Sequence, residues 1–132
     1  MIKKTTDRGR RSGPVVDLSE PGVAYAAPLL SLSRLIEILG NNRTAEMLGV
    51  TRSQPSRWVR GLERIGPENQ RRVLDTEYAL SRLLLLYPPR QAQIWLHSDN
   101  ARLGARPIDV LRIHGTSPVI EAIDAETQGA IV

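Results

Sequence analysis

The stretch 42–61, with the sequence NRTAEMLGVTRSQPSRWVRG, decides how this chain folds. A helical pattern ends at Gly49, and glycine adopts the positive φ of a tight turn without steric cost. The small residue Ala45 leaves room for a second helix to pack closely, and the apolar Val50 directly follows the turn. This combination predicts a helix-turn-helix.

The second helix of this motif has its own start signal and its own apolar anchors. Thr51 and Gln54 have the spacing of a capping box, which predicts Thr51 as the N-cap residue. Pro55 then falls in the first turn, where backbone N–H groups have no intrahelical partner. Trp58 and Val59 are predicted to fix this helix on the core.

The outer face of the second helix and its start are polar or basic, which suits contact with DNA. The predicted DNA-binding residues are Thr51, Arg52, Ser53, Gln54, Ser56, Arg57 and Arg60. Arg can bind guanine and Gln can bind adenine in a bidentate way, while Ser and a helix N-terminus suit phosphates. One short helix covers few base pairs, so we expect a homodimer on a two-fold operator. The alternative is an ordinary helical hairpin with a solvated basic face.

Helical periodicity continues on both sides of the motif, and no stretch alternates as a strand does. We therefore predict an all-α fold, in which a helix-turn-helix domain precedes a small helical domain. The expected helices span 29–39, 43–48, 52–60, 67–86, 90–97, 107–112 and 118–123. The expected core around the motif consists of Leu32, Leu35, Ile36, Leu39, Ala45, Leu48, Val50, Trp58 and Val59. The helix 67–86 should bury an apolar face of Val73, Leu74, Tyr78, Leu80, Leu83, Leu84 and Leu85.

The chain divides into four predicted segments. Residues 1–28, with several Gly and Pro, are expected to be a flexible tail, and 29–66 hold the helix-turn-helix. Residues 67–93 should form a connecting or dimerisation helix, and 94–132 a second domain. The chain has no Cys, no signal-peptide pattern and no apolar run long enough to span a bilayer, so we expect a cytoplasmic protein without membrane contact.

Charge is distributed unevenly along the chain. The net charge is +2 for residues 1–28, +3 for 29–66, +1 for 67–98 and −2 for 99–132. A basic front and an acidic end favour two surfaces with different partners, and the cluster at 8–11 could touch phosphates. Random scatter in a small protein, with a solvated terminus, is the alternative.

The end of the chain resembles a known family. Its ordered features are Trp95-Leu96, Asn100, Leu103-Gly104, Pro107 followed by an apolar helix with Leu111, and a nearly terminal Gly129. This W-L…N…L-G…P…L order resembles the toxin-binding domain of Xre/MbcA/ParS-type antitoxins, and the upstream motif is similar to their Xre-like domain. The resemblance covers roughly 29–132, and residues 1–28 have no counterpart in it.

The resemblance implies a partner, which is a RES-domain toxin that consumes NAD and whose active-site cleft the antitoxin covers. It implies a homodimer within a larger hetero-oligomeric complex and repression of its own operon through operator DNA. The toxin-binding residues it suggests are Trp95, Asn100, Leu103, Gly104, Pro107, Ile108, Leu111, Val119, Ile123, Gly129, Ala130, Ile131 and Val132. The small apolar end after Glu126 is expected to be flexible and to enter the cleft, with a frayed terminus as the alternative.

We expect no enzymatic activity and no cofactor. His97, Asp99 and His114 could form a relay or a metal site only if separate loops converged, and no nucleophile elbow or phosphate-binding loop accompanies them. Two other functions compete with the antitoxin. One is a free-standing transcriptional regulator with a C-terminal dimerisation domain, and the other is an interaction module that no longer binds DNA.

Overall fold

The protein is all-α over residues 21–131, which a computed structural model describes, with side chains described from 27 to 129. The predicted cluster at 8–11 and the C-terminal Val132 lie outside the described residues. The helices are α1 (Pro21–Leu39), α2 (Asn41–Leu48), α3 (Gln54–Val59), α4 (Pro67–Leu83), α5 (Pro89–His97), α6 (Pro107–His114) and α7 (Thr116–Ile131). A single isolated bridge, between Asn100 and Ala105, is the β-type pairing in the described part.

The described helices pack around one continuous apolar core in which α1 and α4 lie side by side. Each helix contributes side chains that are almost fully buried. They include Leu32 and Leu35 of α1, Met47 and Leu48 of α2, Trp58 of α3, Val73, Leu80 and Leu83 of α4, Leu96 of α5, Ile108 and Leu111 of α6, and Val119 and Ile123 of α7. The turn element at α2 and α3 therefore shares its core with the C-terminal helices.

Several helix limits differ from those expected from the sequence. Helix α1 begins at Pro21, so it includes part of the predicted tail and runs through Pro28. An interior proline has no N–H to donate, so the helix loses one backbone hydrogen bond at Pro28. The side chains of Pro28 and Leu32 are both buried. Helix α4 ends at Leu83 rather than at residue 86. The predicted helix at 118–123 is the middle of the longer α7.

Several residues expected in the core are partly or largely exposed. Val59 retains 42% of its exposure, because the buried positions of α3 are Pro55 and Trp58 and Val59 falls on the rim. Ile36 and Val50 are only partly buried. The predicted apolar face of α4 was too broad, since Leu74, Tyr78 and Leu85 are exposed while Val73, Leu80 and Leu83 are buried.

Candidate nucleic-acid interface

The turn between α2 and α3 is built on Gly49. Its φ of 74° and ψ of 33° are left-handed, and its N–H bonds back to the carbonyls of Ala45 and Glu46. The N–H of Val50 also reaches the Ala45 carbonyl, at 3.0 Å, so the end of α2 is closed by backbone hydrogen bonds. The predicted glycine turn is thus present in the backbone.

A distant arginine covers the same turn. Arg112 of α6 donates a hydrogen bond of 2.9 Å from Nη2 to the carbonyl of Met47. A Cβ added to Gly49 would lie 3.1 Å from that nitrogen, so the guanidinium lies directly against the glycine. The carbonyl of Arg112 in turn accepts a bond from Arg71 of α4, at 3.1 Å. A cation at the C-terminal end of α2 also complements the helix dipole.

Helix α3 starts later than expected and without a capping box. Its N-cap is Ser53, and no side chain caps its first turn. The Thr51 carbonyl accepts the Gln54 N–H at 3.0 Å, so Thr51 shapes the preceding turn through its backbone. The Gln54 side chain turns away to another partner, which leaves the reciprocal capping bond unmade. Asn41 steadies this turn by donating a 2.7 Å hydrogen bond to the Arg52 carbonyl.

One side of α3 is anchored in the core and the other faces solvent. Pro55 and Trp58 are buried, and the indole N–H of Trp58 has no hydrogen-bond partner among the described residues, so apolar packing holds it. The predicted DNA-binding residues lie on the open side or at the start of the helix. Thr51, Arg52, Ser53, Arg57 and Arg60 are exposed, and Gln54 and Ser56 are half-buried.

A residue that sequence reasoning missed lies on this open side. Glu63 accepts a hydrogen bond from Gln54 with one carboxylate oxygen and a 3.1 Å bond from Nε of Arg57 with the other. Within the described part of the chain, the guanidinium groups of Arg52 and Arg60 form no ion pair. The signal available in the sequence was an acidic residue six positions after Arg57 and two positions before the apolar Ile65. Ile65 is buried in the structure.

The remaining charges of this region are mostly positive. Between positions 41 and 64 there are five arginines and two glutamates. These arginines are exposed, and an excess of arginine on a protein surface attracts the phosphate backbone of nucleic acids. This exposed surface can therefore offer cationic and amide hydrogen-bond donors to a nucleic acid.

The C-terminal residues singled out by the sequence fall into three groups. Pro107, Ile108, Leu111, Val119 and Ile123 are buried and hold the fold together, so a partner does not reach them directly. Trp95, Asn100 and Leu103 are half-buried, and Gly104 is exposed with a φ of 71°. Asn100 has a structural role, since its side chain accepts the Leu103 N–H at 3.1 Å and its carbonyl accepts the Gly104 N–H at 2.7 Å.

A groove of about 500 Å³ lies beside this turn. Its lining comprises Arg102, Leu103, Ala105, Asp109, Val110, Ile113, His114 and Pro118. Ile113 is the most open apolar side chain there, with 75% of its surface exposed. At one edge, hydrogen bonds from Arg106 hold the pKa of Asp109 below its usual value, with smaller help from the charges of Arg106 and Arg112.

The small apolar end after Glu126, expected to be flexible, is instead helical as far as Ile131. The acidic residues that precede it are bonded to Arg82 of α4 and to Tyr87, which follows α4. Gly129 lies within α7. Asp124 pairs with Arg82 at 2.8 Å, and Glu126 accepts a 2.7 Å hydrogen bond from the Tyr87 hydroxyl, which raises the pKa of Tyr87. The side chains of Ala130 and Ile131 lie outside the described residues.

Neither a metal centre nor a membrane span is found where the structure is described. No group of His, Asp and Glu among these residues is placed to hold a metal ion, and His97 instead bonds the Gln93 carbonyl at 2.9 Å. No described helix has the length and apolar character needed to cross a membrane. No protein-family model, no curated protein and no solved structure matches the chain.

Proposed function

We propose that this chain is a sequence-specific DNA-binding regulator that reads bases with α3. The observation that carries the proposal is the pairing of a glycine turn with a short helix whose inner side is anchored by Trp58 and whose outer side presents Gln54 and Arg57. An α-helix with its side chains is about 10–12 Å across, which fits the major groove, about 12 Å wide. Arg52 and Arg60 flank that helix and would contact phosphates.

The proposed active form is a homodimer on two-fold-related half-sites. A single α3 contacts too few base pairs for selectivity, so two copies one helical turn apart, or a multiple of it, supply the rest. The two copies would contact each other through surface outside α3. The free-standing regulator and the antitoxin share this DNA-binding step, and they differ in what the C-terminal helices bind.

The DNA-binding proposal is tested with the full chain and a fluorescent duplex from upstream of its own gene. The triple variant Arg52→Ala/Arg57→Ala/Arg60→Ala should lose nearly all salt-dependent binding. Arg57→Ala alone should weaken the binding free energy by about 1–3 kcal/mol if Arg57 contacts a base. The double variant Arg90→Ala/Arg102→Ala removes exposed charges elsewhere and is the control. Equal binding by the triple variant and the wild type would show that α3 is not the DNA-binding element.

A second proposed activity is neutralisation of a RES-domain toxin, as the antitoxin resemblance implies. The observation that favours it is the groove beside Leu103, where Ile113 stands open to solvent. Because Ile108, Leu111 and Val119 are buried, we place the direct contacts at the groove rather than on those side chains. The terminal residues 130–132 would then exclude NAD from the cleft.

The toxin proposal predicts a RES-domain enzyme encoded beside this chain, and the assay is co-expression followed by pull-down and measurement of NAD loss. Ile113→Asp should weaken capture and restore NAD consumption, whereas Ile94→Asp, 55% exposed on α5 and outside the groove lining, should do neither. Deleting 130–132 should keep capture and restore some NAD consumption. Absence of such a neighbouring gene, or full inhibition by Ile113→Asp, would contradict the proposal.

A further inference from the structure

The carboxylate of Glu63 lies among the side chains that α3 would use to read DNA. Gln54 and Arg57 are three positions apart, so they share one face of the helix, and both donate to this single carboxylate. An acidic group is repelled by phosphates, so its place on a DNA-facing surface requires a physical reason.

The chain holds Glu63 at that place by its backbone. After α3, Gly61 adopts a φ of 75° and the Leu62 N–H bonds the Arg57 carbonyl at 2.9 Å, which folds the chain back along the helix. Two residues after Glu63, Ile65 is buried and its carbonyl accepts a 2.8 Å hydrogen bond from the Gln70 side chain. The position of Glu63 is thus fixed at both ends.

The contacts leave the base-reading donors free. Arg57 uses Nε toward Glu63, so its two terminal nitrogens remain available for O6 and N7 of a guanine. Gln54 gives one amide hydrogen to Glu63 and keeps its oxygen and second hydrogen for an adenine. The pair is half-exposed, at 50% for Arg57 and 41% for Glu63, and such surface pairs add little to folding stability.

We propose that Glu63 is a specificity-determining residue of the DNA interface, one that orients Gln54 and Arg57 for bases and suppresses their use on phosphates. This inference rests on the DNA-binding function proposed above. In an Arg57–Glu63 pair the net charge is zero, so contact with an arbitrary phosphate releases few counterions. At a matching guanine, the terminal nitrogens of Arg57 bind while the carboxylate keeps its hold on Nε.

The experiment compares the full-length wild type, Glu63→Gln and the control Glu68→Gln by fluorescence anisotropy between 50 and 200 mM salt. Glu68 pairs with Arg72 on α4 and is 72% exposed, so the control removes the same charge from a pair on α4. The probes are a mixed-sequence duplex and the duplex that the wild type enriches from a random pool. Thermal melting of each protein checks that folding is retained.

Glu63→Gln should bind the mixed duplex about three- to tenfold more tightly at low salt, with a salt slope steeper by up to about 0.9. Its affinity for the enriched duplex should rise less or fall, so the ratio of the two affinities drops. Glu68→Gln should keep the wild-type ratio. An unchanged ratio in Glu63→Gln, with wild-type binding intact, would overturn this inference alone. Failure of the wild type to bind any duplex would overturn the proposed function as well, and failure to enrich a sequence would overturn the selectivity.

Discussion

Replacing Gly49 by Ala tests whether the turn before α3 depends on its contact with α6. Gly49 has a backbone φ of 74°, which residues with a Cβ adopt at a cost of roughly 1–2 kcal/mol. The reduced freedom of alanine in the unfolded chain returns roughly 0.4–1 kcal/mol. Together these two effects lower the free energy of unfolding by about 1 kcal/mol.

The contact with Arg112 adds a second cost. The new Cβ would lie 3.1 Å from Nη2 and 3.2 Å from Cζ of Arg112, so the guanidinium must move. A shift of a few tenths of an ångström lengthens and weakens the 2.9 Å hydrogen bond to the Met47 carbonyl. A hydrogen bond to a charged group contributes roughly 1.5–3 kcal/mol, so its weakening should raise the total cost of Gly49→Ala above about 1 kcal/mol and to at most about 4 kcal/mol.

Urea unfolding followed by tryptophan fluorescence measures this cost, and Gly61→Ala is the matched control. Gly61 has nearly the same φ, 75°, but a Cβ there meets no atom within 4 Å. Gly61→Ala should thus show the strain of about 1 kcal/mol without the second cost. In an Arg112→Ala background the excess cost of Gly49→Ala should disappear. If Gly49→Ala costs no more than Gly61→Ala, or if its excess survives without Arg112, the reasoning is wrong.

Two further predictions concern the core and the start of α6. Trp58→Ala should lower the free energy of unfolding by roughly 3–5 kcal/mol, because Trp58 is 2% exposed, while Leu62→Ala, at 60% exposure, should change it little; urea unfolding decides. Asp109→Asn should cost stability at neutral pH but not in acid. Bonds from Arg106 lower the pKa of Asp109, so its contribution is present above the unfolded pKa and is lost as the pH falls through the folded pKa. Unfolding curves that stay equally separated from pH 7 to pH 2 would contradict this sign.

The backbone of the α2–α3 element was predictable because its signals are local. Gly49 closes α2 through hydrogen bonds to carbonyls three and four positions earlier, and Pro55 and Trp58 are buried about one turn apart on the same helix. Periodicity also gave the deep positions of α1, such as Leu32 and Leu35. The exposure of Val59 was not predictable in this way. Val59 is the last residue of α3, and its hydrophobic character alone does not show that its side chain stays exposed there.

The contacts that shape the candidate interface were harder to predict because they join distant positions or side chains across a loop. Arg112 bonds a carbonyl 65 positions earlier, and nothing near Gly49 in the sequence indicates that neighbour. Glu63 reaches α3 only because Gly61 folds the chain back. The local T-x-x-Q pattern was misleading for the same reason, since the Gln54 side chain donates to the carboxylate of Glu63 and does not accept a backbone N–H at the start of α3.

These long-range contacts determine which experiments can separate DNA binding from binding of a second partner. A chain that ends at Gln93 loses Leu96, Leu111 and the other core side chains of α5 to α7, and it also loses Arg112 from the turn before α3. Such a truncation would weaken the fold and the DNA-facing turn together, so its loss of either activity would not identify a binding surface. Exposed residues avoid this coupling. Ile113 and Glu63 can be changed without opening the core, so each surface can be tested while the other stays intact.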